Sequence, residues 1–197
     1  MRQIGKIKQL QVQRSSLKRG VKPARYYDPS PIQIVEQLLL APEGVIGVTA
    51  EGERILDVHN STHPESKNDG GVNGISFGLT SHYQAMRAKF GPHLSDGCAG
   101  ENILLEAQEE VNLEALGKRV AIQDQVSGML LYLEQLIVAV PCVEFSYFAL
   151  NGLMPVPAEV LRDTLIFLND GQRGFYASFA GEEPFALRAG ANVFVEA

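Results

Sequence analysis

The feature that most constrains this chain is its punctuation. Short apolar segments rich in β-branched residues recur from end to end, and Gly, Pro, Asn or Asp cuts each off after a few residues. Residues 4–13 mix apolar positions (Ile4, Ile7, Leu10, Val12) with polar ones and read as a first strand. Residues 44–49 are a short apolar run, and residues 101–106, 118–123, 129–134, 136–140, 174–180 and 192–196 read as strands, the last two around a turn at 181–184. Residues 32–40 follow a Ser30-Pro31 pair that imitates a helix start. They are nevertheless short and rich in Ile, Val and Leu, and they read as a strand ending before Pro42. Only two stretches carry a helical period. Residues 80–90 have Ser81 and Gln84 as a capping box, apolar Tyr83, Met86 and Phe90, and Gly91 as a stop. Residues 157–168 place Val160, Leu161, Thr164, Leu165 and Leu168 on one stripe and end at Asn169-Asp170-Gly171. Many strands, few short helices and no strand-helix-strand rhythm indicate a mainly β fold, a closed or partly closed barrel.

No internal repeat, low-complexity stretch or linker divides residues 1–197, which read as a single domain long enough to bury a real core. The net charge of −6 gives no general push toward nucleic acid or an anionic membrane. No apolar run approaches the ~18 residues of a membrane span. The first residues are basic but lack an apolar signal region, so reduced thiols in the cytoplasm are expected for Cys98 and Cys142. Residues 1–27 hold Arg2, Lys6, Lys8, Arg14, Lys18, Arg19, Lys22 and Arg25 with no acidic residue. They read either as a solvated strand and loop or as a rim that attracts an anionic ligand. Residues 51–74 are polar, with Gly70 and Gly71 adjacent, and read as a long loop of the kind that often serves function.

The sequence holds no P-loop, dinucleotide fingerprint, nucleophile elbow or paired CxxC. Cys142 stands apart. It follows the strand-like residues 136–140, and Pro141, which lacks an N–H, ends the ladder before it. A thiol held there is a nucleophile or metal ligand if it ionises beside positive charge, or otherwise a small core residue. Cys98, in Asp96-Gly97-Cys98-Ala99-Gly100, is either a plain loop thiol or a partner that resolves an oxidised Cys142. A zinc site from His59, His63 and Cys98 has no supporting spacing, and His93 beside Pro92 reads as a surface residue.

Three segments in order carry a resemblance: Gly100-Glu101-Asn102-Ile103, then Leu136 to Pro141-Cys142, then Gly171-Gln172-Arg173-Gly174-Phe175-Tyr176-Ala177. Asp57-Val58-His59 and His82-Tyr83 add weaker matches. The pattern resembles the MOSC domain, named for the C-terminal domain of molybdenum cofactor sulfurases, over residues 44–196. The chain departs from that family's pattern after Gly47 and at Gln172, where a second basic residue is often found. The resemblance implies a β-barrel whose Cys142 either ligates the molybdenum of molybdenum cofactor (Mo-molybdopterin) or carries sulfur as a persulfide. Asn102, Arg173, Glu101, His59 and His82 would then contact the cofactor, Arg173 through its phosphate. It further implies reduction of small N-hydroxylated substrates with electrons from a separate redox partner. The alternative it implies is a sulfurtransferase loaded by a cysteine desulfurase, with pyridoxal phosphate on that partner. A third reading is a non-catalytic barrel that binds a small ligand. On residues alone, Asn102 is equally a turn brace and Arg173 a solvated strand residue.

Overall fold

A computed structural model describes residues 1–68, 73–125, 127–151 and 155–196. In chain order its elements begin with β1 (Arg2–Gln13), β2 (Lys18–Arg19), β3 (Tyr26–Tyr27), β4 (Ile32–Ile34), β5 (Gln37–Ala41), β6 (Gly44–Val48), β7 (Arg54–Leu56) and β8 (Ile75–Leu79). Then follow α1 (Thr80–Phe90), β9 (Ile103–Glu106), α2 (Leu113–Leu116), β10 (Arg119–Gln123), β11 (Leu130–Val138), α3 (Val143–Ala149) and α4 (Ala158–Asn169). The strands β12 (Phe175–Phe179), β13 (Phe185–Arg188) and β14 (Asn192–Val195) complete the chain.

Seven strands close a barrel in the order β14-β10-β11-β12-β8-β9-β1, with β1 returning to β14. The length of β1 makes closure possible. Arg2 to Lys6 pair with β14, Lys6 to Leu10 with β9, and Gln11 to Gln13 with β4. Every barrel pairing is antiparallel except β8 with β9, which α1 bridges as the one strand-helix-strand crossover. A smaller sheet, β13-β5-β6-β7, shares its apolar face with the barrel. Leu38, Leu40, Val45 and Leu187 belong to the same core as Ile7, Leu10, Phe77, Val120 and Val193. A second core lies outside the barrel wall, where Tyr27, Tyr83, Met86, Leu104, Phe145 and Leu168 join α1, α3 and α4 to it. Each such fully buried side chain contributes about 1.5–3 kcal/mol. No helix among the described residues is long and apolar enough to cross a membrane.

Several elements differ from the sequence reading. Residues 32–40 form two strands, β4 and β5, and residues 129–140 form one, β11. The strand-like pieces on either side of Gln135 are joined through a register shift there, with Gln135 at φ 53°. The expected capping box at α1 is absent, because its hydroxyls are engaged elsewhere. Thr80 Oγ1 donates to the Ala107 carbonyl and accepts from its N–H, both at 3.0 Å, and Ser81 Oγ donates to the Glu109 carbonyl. On α4 only Thr164 and Leu168 of the predicted stripe are buried, and Val160 is exposed. The strands β2, β3, β7, β8 and β13 and the helices α2 and α3 have no counterpart in the sequence reading. Gly70 and Gly71 lie outside the described residues.

Candidate functional site

Cys142 sits where β11 leaves the sheet. The ladder stops at Val138, Ala139 N–H still donates to the Gly174 carbonyl, and the buried Pro141 has nothing to donate. Cys142 then caps α3. Its backbone is extended (φ −97°, ψ 158°), and its Sγ accepts from the Phe145 N–H at 3.4 Å, as a Ser or Asp oxygen would. Its carbonyl accepts from the N–H and the Oγ of Ser146. These bonds fix the half-buried thiol in one place. Glu144, one residue into the helix, is buried and meets Arg25 at 2.5 Å. Burial pushes its carboxyl up, but its own backbone N–H, Arg25 and a hydrogen bond from the Cys142 thiol hold it below the usual range.

The thiol lines a cleft of about 220 Å³. Val140 and Cys142 enter from the end of β11, Arg173 and Tyr176 from the start of β12, and Val58 and His59 from the loop after β7. Lys18 and Lys67 stand exposed at its rim, opposed by Glu65, so the cleft is net cationic. Arg173 is the fixed charge among them. Its Nη2 donates to the Ala99 carbonyl at 3.0 Å and its guanidinium lies 5.4 Å from the Phe145 ring centre. Burial works against its charge, but Tyr176, Tyr27, Cys142 and Glu101 outweigh that and raise its pKa.

A polar brace lies one layer below. Asn102 Nδ2 donates to Asp57 Oδ2 at 2.8 Å, and its Oδ1 accepts from Ser76 N–H and Oγ. Asp57 is fully buried and also accepts from the Gln13 and His59 N–H groups. Its Oδ1 stands 2.9 Å from His59 Nδ1, which assigns the proton to Nδ1 and leaves Nε2 as acceptor. The series Ser76–Asn102–Asp57–His59 thus ties the barrel to the cleft wall. Gly100, at φ +89°, lets the preceding loop reach the brace: a Cβ there would fall 2.7 Å from Gln13 Nε2, which donates to the Gly100 carbonyl.

Glu101 points the other way, into the second core. Tyr83 Oη donates to its Oε2 at 2.9 Å, and Oε1 has no partner among the described residues. Its seat exists because residue 78 is glycine, where a Cβ would meet Oε1 at 2.3 Å. Burial pushes the Glu101 carboxyl up to about 7, with Tyr83 and Arg173 opposing. Beside it the buried Cys98 thiol is pushed up to about 12, by burial first and Glu101 second.

Of the residues singled out from sequence, Cys142, Arg173 and His59 come together in one cleft. Asn102, Glu101 and His82 are not in its walls. Asn102 spends its side chain on Asp57 and Ser76, and Glu101 on Tyr83. His82 accepts from the Val111 N–H on α1 and packs beside Phe175, its pKa lowered by burial. His93 is not a surface residue. It is half-buried, and its Nε2 donates to the Phe148 and Ala149 carbonyls at the end of α3. Among the described residues no three His, Cys, Asp or Glu side chains converge to hold a metal. The basic N-terminal residues divide: Lys8 pairs with Asp96, Arg19 with Asp28 and Arg25 with Glu144, while Lys18 faces the cleft. Lys67 and Tyr27 also line the cleft, and nothing in the sequence marks either for it. The alternation Gln9, Gln11, Gln13 in β1 is a polar row that runs into a stretch, residues 10–13, buried on both faces, and it is a sequence sign of an interior brace.

Fold and site together define a closed β-barrel with a thiol-bearing, cationic cleft at the seam between two cores. No protein-family model matches the chain, and no curated protein matches it in sequence. Its fold is similar to that of the YuaD protein from Bacillus subtilis, at 14% identity and a TM-score of 0.50 over 95% of this chain and 96% of that one. It is also similar to a crystal structure described as a hypothetical protein, at 13% identity and a TM-score of 0.55 over 98% of this chain and 69% of that one. At these identities the likeness is one of fold.

Proposed function

We propose that this is a MOSC-type protein that binds molybdenum cofactor through the Cys142 thiolate and reduces small N-hydroxylated compounds, with electrons from a separate cytoplasmic redox partner. One observation carries the reading: the half-buried Cys142 thiol and the Arg173 guanidinium, from different elements, wall the same small cationic cleft. The donor set fits the group. Thiolate sulfur is a soft ligand. With no cage of three ligands among the described residues, a metal at Cys142 would bring its other donors with it, as the molybdenum of a pterin dithiolene does. Arg173, Lys18 and Lys67 suit its phosphate. The cleft is smaller than the ~300–1,000 Å³ of ordinary ligand pockets, so it accommodates the metal end, with the remainder of the cofactor on the open side.

When bound, the cofactor supplies two-electron redox chemistry at the metal. The chain supplies the rest. Cys142 gives up its proton on ligation, Arg173 and the rim lysines orient anionic groups, and His59, set by Asp57, gives or takes a proton at Nε2. The test is metal and pterin analysis of full-length protein from a host that makes the cofactor. Near-stoichiometric molybdenum in the wild type and its loss in Cys142→Ser support the reading. Equal retention by both proteins contradicts it.

The size of the cleft favours a second reading, because a persulfide needs room for only one more sulfur. In that case the Cys142 thiolate attacks the outer sulfur of a persulfide on a pyridoxal-phosphate cysteine desulfurase, which leaves as its thiolate. A labile adduct of about 32 Da on Cys142, present without molybdenum, distinguishes this reading.

A further inference from the structure

Beside α3, and sharing Tyr27 with the Cys142 cleft, lies a second concavity of about 510 Å³, more than twice the volume of the cleft. Its walls are largely aromatic, with Tyr26 from β3 and Tyr147 and Phe148 from α3, joined by the aliphatic ring of Pro23 from the loop before β3 and floored by the buried Tyr27. The floor is a fixed surface. Tyr27 packs edge-on to Phe145 at 5.0 Å and against Phe148 at 5.2 Å. Tyr26 is 58% exposed, and neither its hydroxyl nor that of Tyr147 hydrogen-bonds among the described residues. Large aromatic side chains are thus held open to solvent around a preformed hollow, with spare hydrogen-bonding groups among them. The proposed cofactor chemistry uses none of this.

The charges in the hollow indicate what it takes. Arg25 and Glu144 both line it, but they are spent on each other at 2.5 Å, and the Glu144 side chain is only 8% exposed. The remaining ionisable ring, His93, donates its Nε2 hydrogen to two backbone carbonyls. A charged ligand would have to compete with one member of that pair for the other, or carry its charge into an aromatic hollow whose own charges already balance, and either is costly. A flat, uncharged ring system meets no such obstacle. It buries apolar area against the aromatic walls and offers a neutral polar substituent to the two tyrosine hydroxyls.

We propose that this cavity is a second binding site, for a neutral planar aromatic molecule, beside the Cys142 cleft with which it shares Tyr27 as a wall. Two dyes with the same ring system test it on the full-length protein by fluorescence titration: uncharged N-phenyl-1-naphthylamine and its sulfonated, anionic analogue 1-anilinonaphthalene-8-sulfonate. The neutral dye should bind saturably, one per chain, at least tenfold more tightly than the anionic one. Tyr26→Ala removes a mostly exposed wall, and Ala24→Trp fills the mouth without deleting anything; each should weaken binding at least tenfold. Met129→Ala, at an exposed apolar position on the barrel, should leave it unchanged. Binding that does not saturate, equal affinity for the anionic dye, or indifference to Ala24→Trp in a protein with wild-type melting behaviour overturns the proposal.

Discussion

The two cysteines illustrate how placement, rather than residue type, decides reactivity. Cys142 is half-buried and opens on a cationic cleft, whereas Cys98 is buried, with its thiol pushed up to about 12. Iodoacetamide at neutral pH should therefore modify Cys142 at least 100-fold faster than Cys98 in native, cofactor-free protein, as followed by peptide mass spectrometry. Comparable rates would place the two thiols in like surroundings and remove the basis for the site. Glu101 makes a prediction of the opposite kind. Its folded carboxyl titrates near 7 against an ordinary 4.5, so between those values the folded protein keeps a proton that the unfolded chain has lost. Stability from this group accordingly falls as pH rises through that window, by about 3 kcal/mol once complete. Glu101→Gln keeps an acceptor for Tyr83 and removes the charge. Relative to wild type it should gain melting temperature from pH 5 to pH 8. Parallel pH profiles for the two proteins would mean that Glu101 is ionised throughout. The environments of Cys98 and Glu101 were not legible in the sequence, since burial there depends on β1, β3 and α1 closing on the Gly97–Gly100 loop.

Among the elements, strands that alternate or end in turn residues were readable, and those whose signals come from tertiary partners were not. The sequence of α3, Val-Glu-Phe-Ser-Tyr-Phe-Ala, is aromatic and β-branched, and its cap is a sulfur rather than an oxygen. Neither its propensity nor its cap marks it as helix, yet it fixes the thiol. In α1 the reverse occurred: a capping-box pattern was present, but the strand-to-loop packing of Ala107 and Glu109 claimed its hydroxyls. The segment Gly-Glu-Asn was picked out by resemblance, but its sequence could not show that Asn102 turns inward to Asp57 while Glu101 turns to Tyr83. The brace that Asn102 builds gives a prediction at this scale. Asn102→Ala leaves the Ser76 N–H and one oxygen of Asp57 short of partners in the interior, at a cost of about 2–4 kcal/mol. Its urea midpoint should fall accordingly, and a loss below about 1 kcal/mol would show that the network is not a structural brace.

At the scale of the whole molecule, the barrel class followed from strand number and the lack of a strand-helix-strand rhythm. Closure between β1 and β14, at opposite ends of the chain, is what no local pattern could display. Closure also sets the architecture of the site. It leaves the end of β11, the start of β12 and the loop after β7 facing one another at the seam of the two cores, so residues far apart in sequence wall one cleft. The thiol in this cleft is the proposed molybdenum ligand. The direct measurement titrates cofactor-free protein with isolated molybdenum cofactor and follows, in the same samples, bound molybdenum and the fraction of Cys142 open to alkylation. Cys142 should be protected mole for mole with the metal bound, while Cys98 stays unmodified throughout. Full alkylation of Cys142 with molybdenum still bound would contradict it.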